Sequence, residues 1–157
     1  MKIFVSYSGR DAYLAIRVCT ALEHEGHEVF FAKRDCVPSV PFHCAIRQAI
    51  KRSKIMVVLI SPHSMSENSY VLTEIAIGTR GAGSKHRKIL PVMISPTSTE
   101  QLPAELRDIT ILHPRGDIVA EINFMIDLLK TQTFGKLQMT ICIIVALLSL
   151  SFLLNTI

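Results

Sequence analysis

Hydrophobic positions along this 157-residue chain follow two periods, one of strands and one of helices. KIFVSYS (2–8) is a short apolar run broken by Ser-Gly and predicts a buried strand. From Asp11 to Glu25 the apolar residues Leu14, Ile16, Val18, Cys19, Ala21 and Leu22 recur at helical spacing. Asp11 is placed to cap that helix and Gly26 to stop it. EVFFA (28–32) predicts a second strand, Phe42 to Arg52 a helix, and KIMVVLIS (54–61) a β-branched third strand. SPHSMSE (61–67) is expected to open the next helix, because Ser64 and Glu67 fit the S-x-x-E capping box. KILPVMI (88–94) predicts a fourth strand, ITIL (109–112) a weak fifth, and Asp117 to Lys130 a final amphipathic helix.

Strands alternating with helices predict an α/β domain whose sheet is parallel and covered by helices on both faces. The expected arrangement is flavodoxin-like, five strands in the order 2-1-3-4-5. Sheets of this kind bind ligands at the carboxyl ends of the strands, at the switch point between strands one and three. Two loops meet there: Ser6-Tyr7-Ser8-Gly9-Arg10-Asp11, and Ser61-Pro62-His63-Ser64 with the helix that follows.

Composition changes the picture at one end only. Mean hydropathy is +0.36, and the excess sits in LQMTICIIVALLSLSFLLNTI (137–157), which has no Asp, Glu, Lys or Arg. A hydrocarbon core of about 30 Å takes roughly 20 helical residues, so this tail is long enough to span a bilayer. A helix buried in the domain or in an oligomer is the alternative, although such helices keep a polar stripe. Lys130 and Lys136 precede the span and nothing charged follows it, which places residues 1–136 on the cytoplasmic side. The expected organisation is therefore a domain over 1–130, a short juxtamembrane linker over 131–136 and a single transmembrane helix over 137–157.

The net charge of +4 comes with no basic run interleaved with aromatics, so nucleic acid is not an expected partner. Arg80, Lys85, Arg87 and Lys88 read as a solvated loop, with anionic lipid as the other use. Cys19, Cys36, Cys44 and Cys142 show no CxxC spacing and are expected to be reduced thiols in the cytoplasm. HEGHE (24–28) separates its histidines by three positions where a helical zinc pair needs four, and no metal is expected. GxxxxGK[ST], GxGxxG and GxSxG are absent, which removes the main support for nucleotide triphosphatases, Rossmann dehydrogenases and α/β-hydrolases.

Glu74 is the residue that invites chemistry. It stands in the apolar run YVLTEIAIG (70–78), beside the stripe of Val71, Leu72, Ile75 and Ala76 and one turn after Tyr70. Its helix follows the switch-point loop, so its carboxylate can reach the same cleft as residues 6–11. A glutamate there either serves the fold or holds ribose hydroxyls and stabilises an oxocarbenium ion; residue pattern alone leaves both open. His63, in the loop facing the cleft, is a further binding candidate.

FVSYS with Asp11 following, SKIMVVLISP (53–62) and YVLTEI (70–75), in this order and at these spacings, resemble a TIR domain over residues 2–130. The resemblance is to bacterial-type TIR proteins that cleave NAD, in which the glutamate of a W-x-x-x-E-[IL] element is catalytic. It puts Glu74 on that glutamate and Tyr70 on the tryptophan. It also implies NAD binding by Tyr7, Ser8, Arg10 and Asp11 and by the stretch RDCVPSVPF (34–42), with Phe42 packed near the nicotinamide and Arg10 available for phosphates. NAD is then the substrate, no cofactor is needed, and the products are nicotinamide with ADP-ribose or a cyclic isomer. Activation by self-association through TIR–TIR contacts and a role in antiviral defence follow from the same resemblance; a non-enzymatic membrane adaptor is its alternative. One departure bears on assembly: the loop after strand two usually holds a glycine, where this chain has Pro38-Ser39-Val40-Pro41.

Overall fold

The structure, a computed structural model, describes residues 1–36, 39, 41–80 and 87–131. Its first strand, β1 (Lys2–Ser6), leads through a 3-10 turn (Gly9–Asp11) into α1 (Ala12–His24). Gly26 then takes a left-handed φ of 75°, the reversal that ends α1 and delivers the chain to β2 (Glu28–Phe30). The second strand is shorter than expected. Phe31 caps a short helix, α2 (Ala32–Asp35), because Asp35 Oδ2 accepts the Phe31 N–H at 2.7 Å.

After the following loop come α3 (Phe42–Arg52), β3 (Ile55–Ile60), α4 (Tyr70–Arg80) and β4 (Lys88–Met93). A 3-10 turn (Thr99–Gln101), the short helix α5 (Ala104–Arg107) and a helix over 118–131, α6, complete the described chain. Asp117 Oδ1 caps α6 by accepting the N–H groups of Val119 and Ala120 at 2.8 and 3.0 Å. The chain divides into two compact units, Met1–Glu121 and Ile122–Ile157, and the described part of the second is helical.

The sheet is parallel and ordered β2-β1-β3-β4, with Ile3 opposite both Val29 and Ile55 and Val57 opposite Leu90. Every residue of β3 is buried, as a central parallel strand requires. On one face Phe4, Met56, Val58 and Ile60 join Ile46 and Ile50 of α3, Val71 and Ile75 of α4, and Leu106 of α5 in a single cluster. Ile3, Val5, Val57 and Leu59 alternate onto the opposite face and are buried too.

Three expectations change. The fifth strand is absent as a ladder: only Leu112 pairs with β4, in one parallel bridge to Val92. Leu112 donates to Pro91 O and accepts from Met93 N–H, each at 2.9 Å. The next bonds in either direction would need N–H groups from Pro91 and Pro114, and proline has none. The sheet therefore has four strands where five are expected.

The fourth helix also starts later than its capping box predicts. Ser61 and Ser64 bond each other instead: Ser64 Oγ accepts the Ser61 N–H at 2.8 Å and Ser61 Oγ accepts the Ser64 N–H at 3.1 Å. This local turn competes with helix, and α4 waits until Tyr70, where Ser69 Oγ accepts the Val71 N–H at 3.3 Å. Arg87, finally, is not a solvated loop residue. It is buried and donates to Gly78 O at 2.6 Å, and Arg80 pairs with Glu105 at 2.7 Å.

In the loop after β2, Ser39 takes a φ of 75°. The left-handed backbone that a glycine accommodates is thus present without one, at a cost of about 1–2 kcal/mol. The tail at 137–157, the linker residues 132–136 and Lys85 lie outside the described residues. Among the described residues no helix is long and apolar enough to cross a membrane.

Candidate functional site

The carboxyl ends of β1 and β3 open into a cleft of about 750 Å³. The turn after β1 contributes Tyr7, Ser8 and Arg10, and α3 contributes Phe42. The turns after β3 bring His63 and Asn68, and α4 brings Tyr70 and Glu74. Of the residues singled out in the sequence, Tyr7, Ser8, Arg10, Phe42, Tyr70 and Glu74 come together here, joined by His63.

Asp11 does not line the cleft. Its carboxylate accepts from Ser61 Oγ at 2.6 Å, and Ser61 is in turn bonded to Ser64, so Asp11 ties the loop after β1 to the loop after β3. It is positioned as a cap for α1 yet makes no side-chain cap bond; its Oδ2 accepts from Ser61 instead.

Glu74 is deeper than its sequence position indicates. It is 6% exposed, and Ser6 Oγ at the end of β1 donates a hydrogen bond to its Oε2. Burial pushes its carboxyl from the ordinary 4.5 up to about 7, while the Ser6 hydroxyl pulls it down. Among the described residues no lysine or arginine pairs with it, within 4 Å or as a cause of its shift.

Aromatic rings form one wall. Phe42 and Tyr70 lie 5.4 Å apart at 55°, and His43 Nδ1 shares a 2.7 Å hydrogen bond with the Tyr70 hydroxyl. Burial and the neighbouring Glu74 raise the Tyr70 phenol, which stays protonated. On the other side Tyr7 stacks on Phe31 at 5.0 Å and 4°, which fixes the ring that leads into Ser8 and Arg10. Phe42 is 46% exposed and Arg10 exposed, so the mouth of the cleft is open to water and its floor is not.

Two contributors were given no role of their own from sequence, Ser6, named only as part of the switch-point loop, and His43. Ser6 was visible as the last residue of a buried strand, where a polar side chain needs a partner; its partner lies 68 positions away. His43 gave no signal except that Tyr70 has a hydroxyl to satisfy. Among the described residues no group of His, Cys, Asp and Glu is arranged to hold a metal ion. Cys19, Cys36 and Cys44 are free thiols.

Known proteins share this fold. The TIR domain of the Toll-related receptor TRR-2 from Hydra magnipapillata is 24% identical with a TM-score of 0.64, over 83% of this chain and 96% of that one. A metazoan TIR-STING receptor from C. gigas is 25% identical with a TM-score of 0.62, over 76% of this chain and 39% of that one. The TIR domains of the activated Roq1 resistosome, which directly recognises the pathogen effector XopQ, are 20% identical with a TM-score of 0.53, over 58% and 55%. This chain thus spans less than two thirds of the TIR-STING and Roq1 chains. No curated protein sequence matches it. The sequence pattern of the TIR domain matches residues 3–125, most of the chain, and the protein belongs to the TIR domain family.

Proposed function

We propose that this TIR domain is an NAD nucleosidase, in which Glu74 stabilises the sugar cation formed as the nicotinamide–ribose bond breaks. The observation that carries this reading is a buried carboxylate on a cleft floor with a serine hydroxyl, and no described cation, for a partner. Burying a carboxylate without a cation costs folding free energy, so a fold that keeps one gains something for it elsewhere. A ligand that brings positive charge to that point is such a gain. NAD carries it on the pyridinium ring, and during cleavage the charge passes to the ribose.

In the reaction the bond from ribose C1′ to the pyridinium nitrogen breaks, and its electron pair leaves with neutral nicotinamide. The oxocarbenium ion left behind faces the Glu74 carboxylate, whose field is worth most where water is excluded. Water then adds at C1′ and loses a proton, giving ADP-ribose; attack by an adenine nitrogen gives a cyclic isomer instead. Phe42 and Tyr70 offer faces for the flat nicotinamide ring, and Arg10 at the open mouth suits the pyrophosphate. Self-association through TIR–TIR contacts, cytoplasmic orientation and anchoring through 137–157 belong to the same proposal, as does a role in antiviral defence.

The test is nicotinamide release from NAD by full-length protein, concentrated in detergent or reconstituted in liposomes. Glu74→Ala is expected to lower the rate by at least about 100-fold, the scale of losing one preorganised charge at a transition state. Release that persists in the variant removes Glu74 from the chemistry; release that never appears in the wild type, even when clustered, removes the enzyme reading and leaves a membrane adaptor.

A further inference from the structure

We propose that His43 is a positioning residue: its hydrogen bond to the Tyr70 hydroxyl sets the ring that forms the wall of the Glu74 cleft. This rests on the reading of that cleft as an NAD site. His43 stands in the first turn of α3, immediately after the loop that follows α2, and Tyr70 is the first residue of α4. Phe42 and Tyr70 line the cleft, whereas His43 does not. The imidazole therefore acts from behind the wall.

Geometry makes the contact specific. The bond is 2.7 Å between Nδ1 and the phenol oxygen, and the rings approach to 5.2 Å at 50°. We take the phenol as donor to Nδ1, an arrangement that requires the imidazole tautomer with its proton on Nε2. A surface histidine without such a tie keeps its rotamers, and ordering it costs entropy. Here the ordering joins the entry of α3 to the entry of the helix that carries Glu74 one turn later. A tyrosine at position 70 accounts for the arrangement, because a larger apolar ring would have no hydroxyl for His43 to hold.

The wall meets substrate before and during the reaction alike, so loosening it weakens binding more than the chemical step. His43→Ala is expected to raise KM for NAD about three- to tenfold, the worth of one hydrogen bond, with kcat within about twofold. Tyr70→Phe keeps the ring and should match it. The double variant should be no worse than either single one, since both remove the same bond. His43→Asn, whose amide reaches the position of Nδ1, should recover most of the loss.

An unchanged KM in His43→Ala, failure of the asparagine to rescue, or effects that multiply in the double variant would each overturn the proposal. A second readout needs no substrate. The imidazole ¹⁵N shifts of His43 should report an Nε2–H tautomer in the wild type and change in Tyr70→Phe. Unchanged shifts sink the bond itself, whatever the kinetics. Responsive shifts in a protein that releases no nicotinamide would uphold the bond and defeat only the NAD reading.

Discussion

Glu74 carries a free-energy cost that can be read by titration. Its carboxyl sits near 7 in the folded chain and at the ordinary 4.5 when unfolded, so the folded state binds the extra proton between those values. Stability linked to this group is fully present below pH 4.5 and is lost as pH rises through 7. At about 1.4 kcal/mol per pH unit, the loss is on the order of 3 kcal/mol above pH 8. Glu74→Gln should therefore be more stable than the wild type at pH 8, with the advantage vanishing below about pH 4.5; denaturant melts at both pH values measure it. Catalysis should run the other way, because the carboxylate is the working form. Nicotinamide release is expected to rise through an apparent pKa near 7, and Ser6→Ala, which removes the hydroxyl that lowers this value, should move the midpoint upward. A flat profile would mean that ionised Glu74 does not limit the reaction. Sequence showed that Glu74 was out of place in its run and adjacent to a cleft. It could not show how deep the residue lies, since depth depends on β1 delivering Ser6 opposite it.

Helix α4 holds Glu74 in place by lying close on the sheet. At Gly78, one turn beyond Glu74, an added Cβ would stand 2.5 Å from Met56 Sδ, a side chain fully buried in the core. Gly78→Ala gains about 1 kcal/mol of helix propensity and loses about 1–3 kcal/mol to overpacking. The net expectation is a loss of about 1 kcal/mol, read as a lower denaturation midpoint, with reduced nicotinamide release because α4 must lift. An alanine that stabilises the protein would show that Met56 yields freely. At this scale the sequence was informative wherever one period dominated. The β1, β3 and α1 runs are long or regular enough to name their elements to within a residue or two. Three of the misses come from backbone hydrogen bonds that local residues either make or deny against the pattern. Asp35 turns the end of the second strand into α2, Ser61 and Ser64 delay α4, and two prolines reduce the fifth strand to a bridge.

For the whole molecule the proposed anchor matters as much as the proposed chemistry. Confinement to a surface raises effective concentration, so weak contacts between domains suffice for assembly. Deleting 137–157 is expected to release the protein from membranes and to raise the concentration at which nicotinamide release begins, by about 10²-fold or more. Fractionation and a concentration series on both forms check it; identical localisation would discard the anchor. The expectation of a membrane span at 137–157 rests on composition alone, because apolar length needs no tertiary context. Domain–domain contacts were not legible, since they depend on surface shape that no period encodes.

A domain held at high density, as the proposed anchor implies, must not polymerise through its sheet, and among the described residues both borders carry occupied or missing edge groups. On the β2 side, Val29 O and Phe31 N–H turn away from β1 and are already taken by Arg34 Nη2 at 3.0 Å and Asp35 Oδ2 at 2.7 Å. On the β4 side, Pro91 offers no N–H to a newcomer, and Leu112 occupies Pro91 O and the Met93 N–H. An incoming strand finds no continuous ladder at either border. Under the proposed anchoring, crowding would therefore leave amyloid-like stacking without a continuous template.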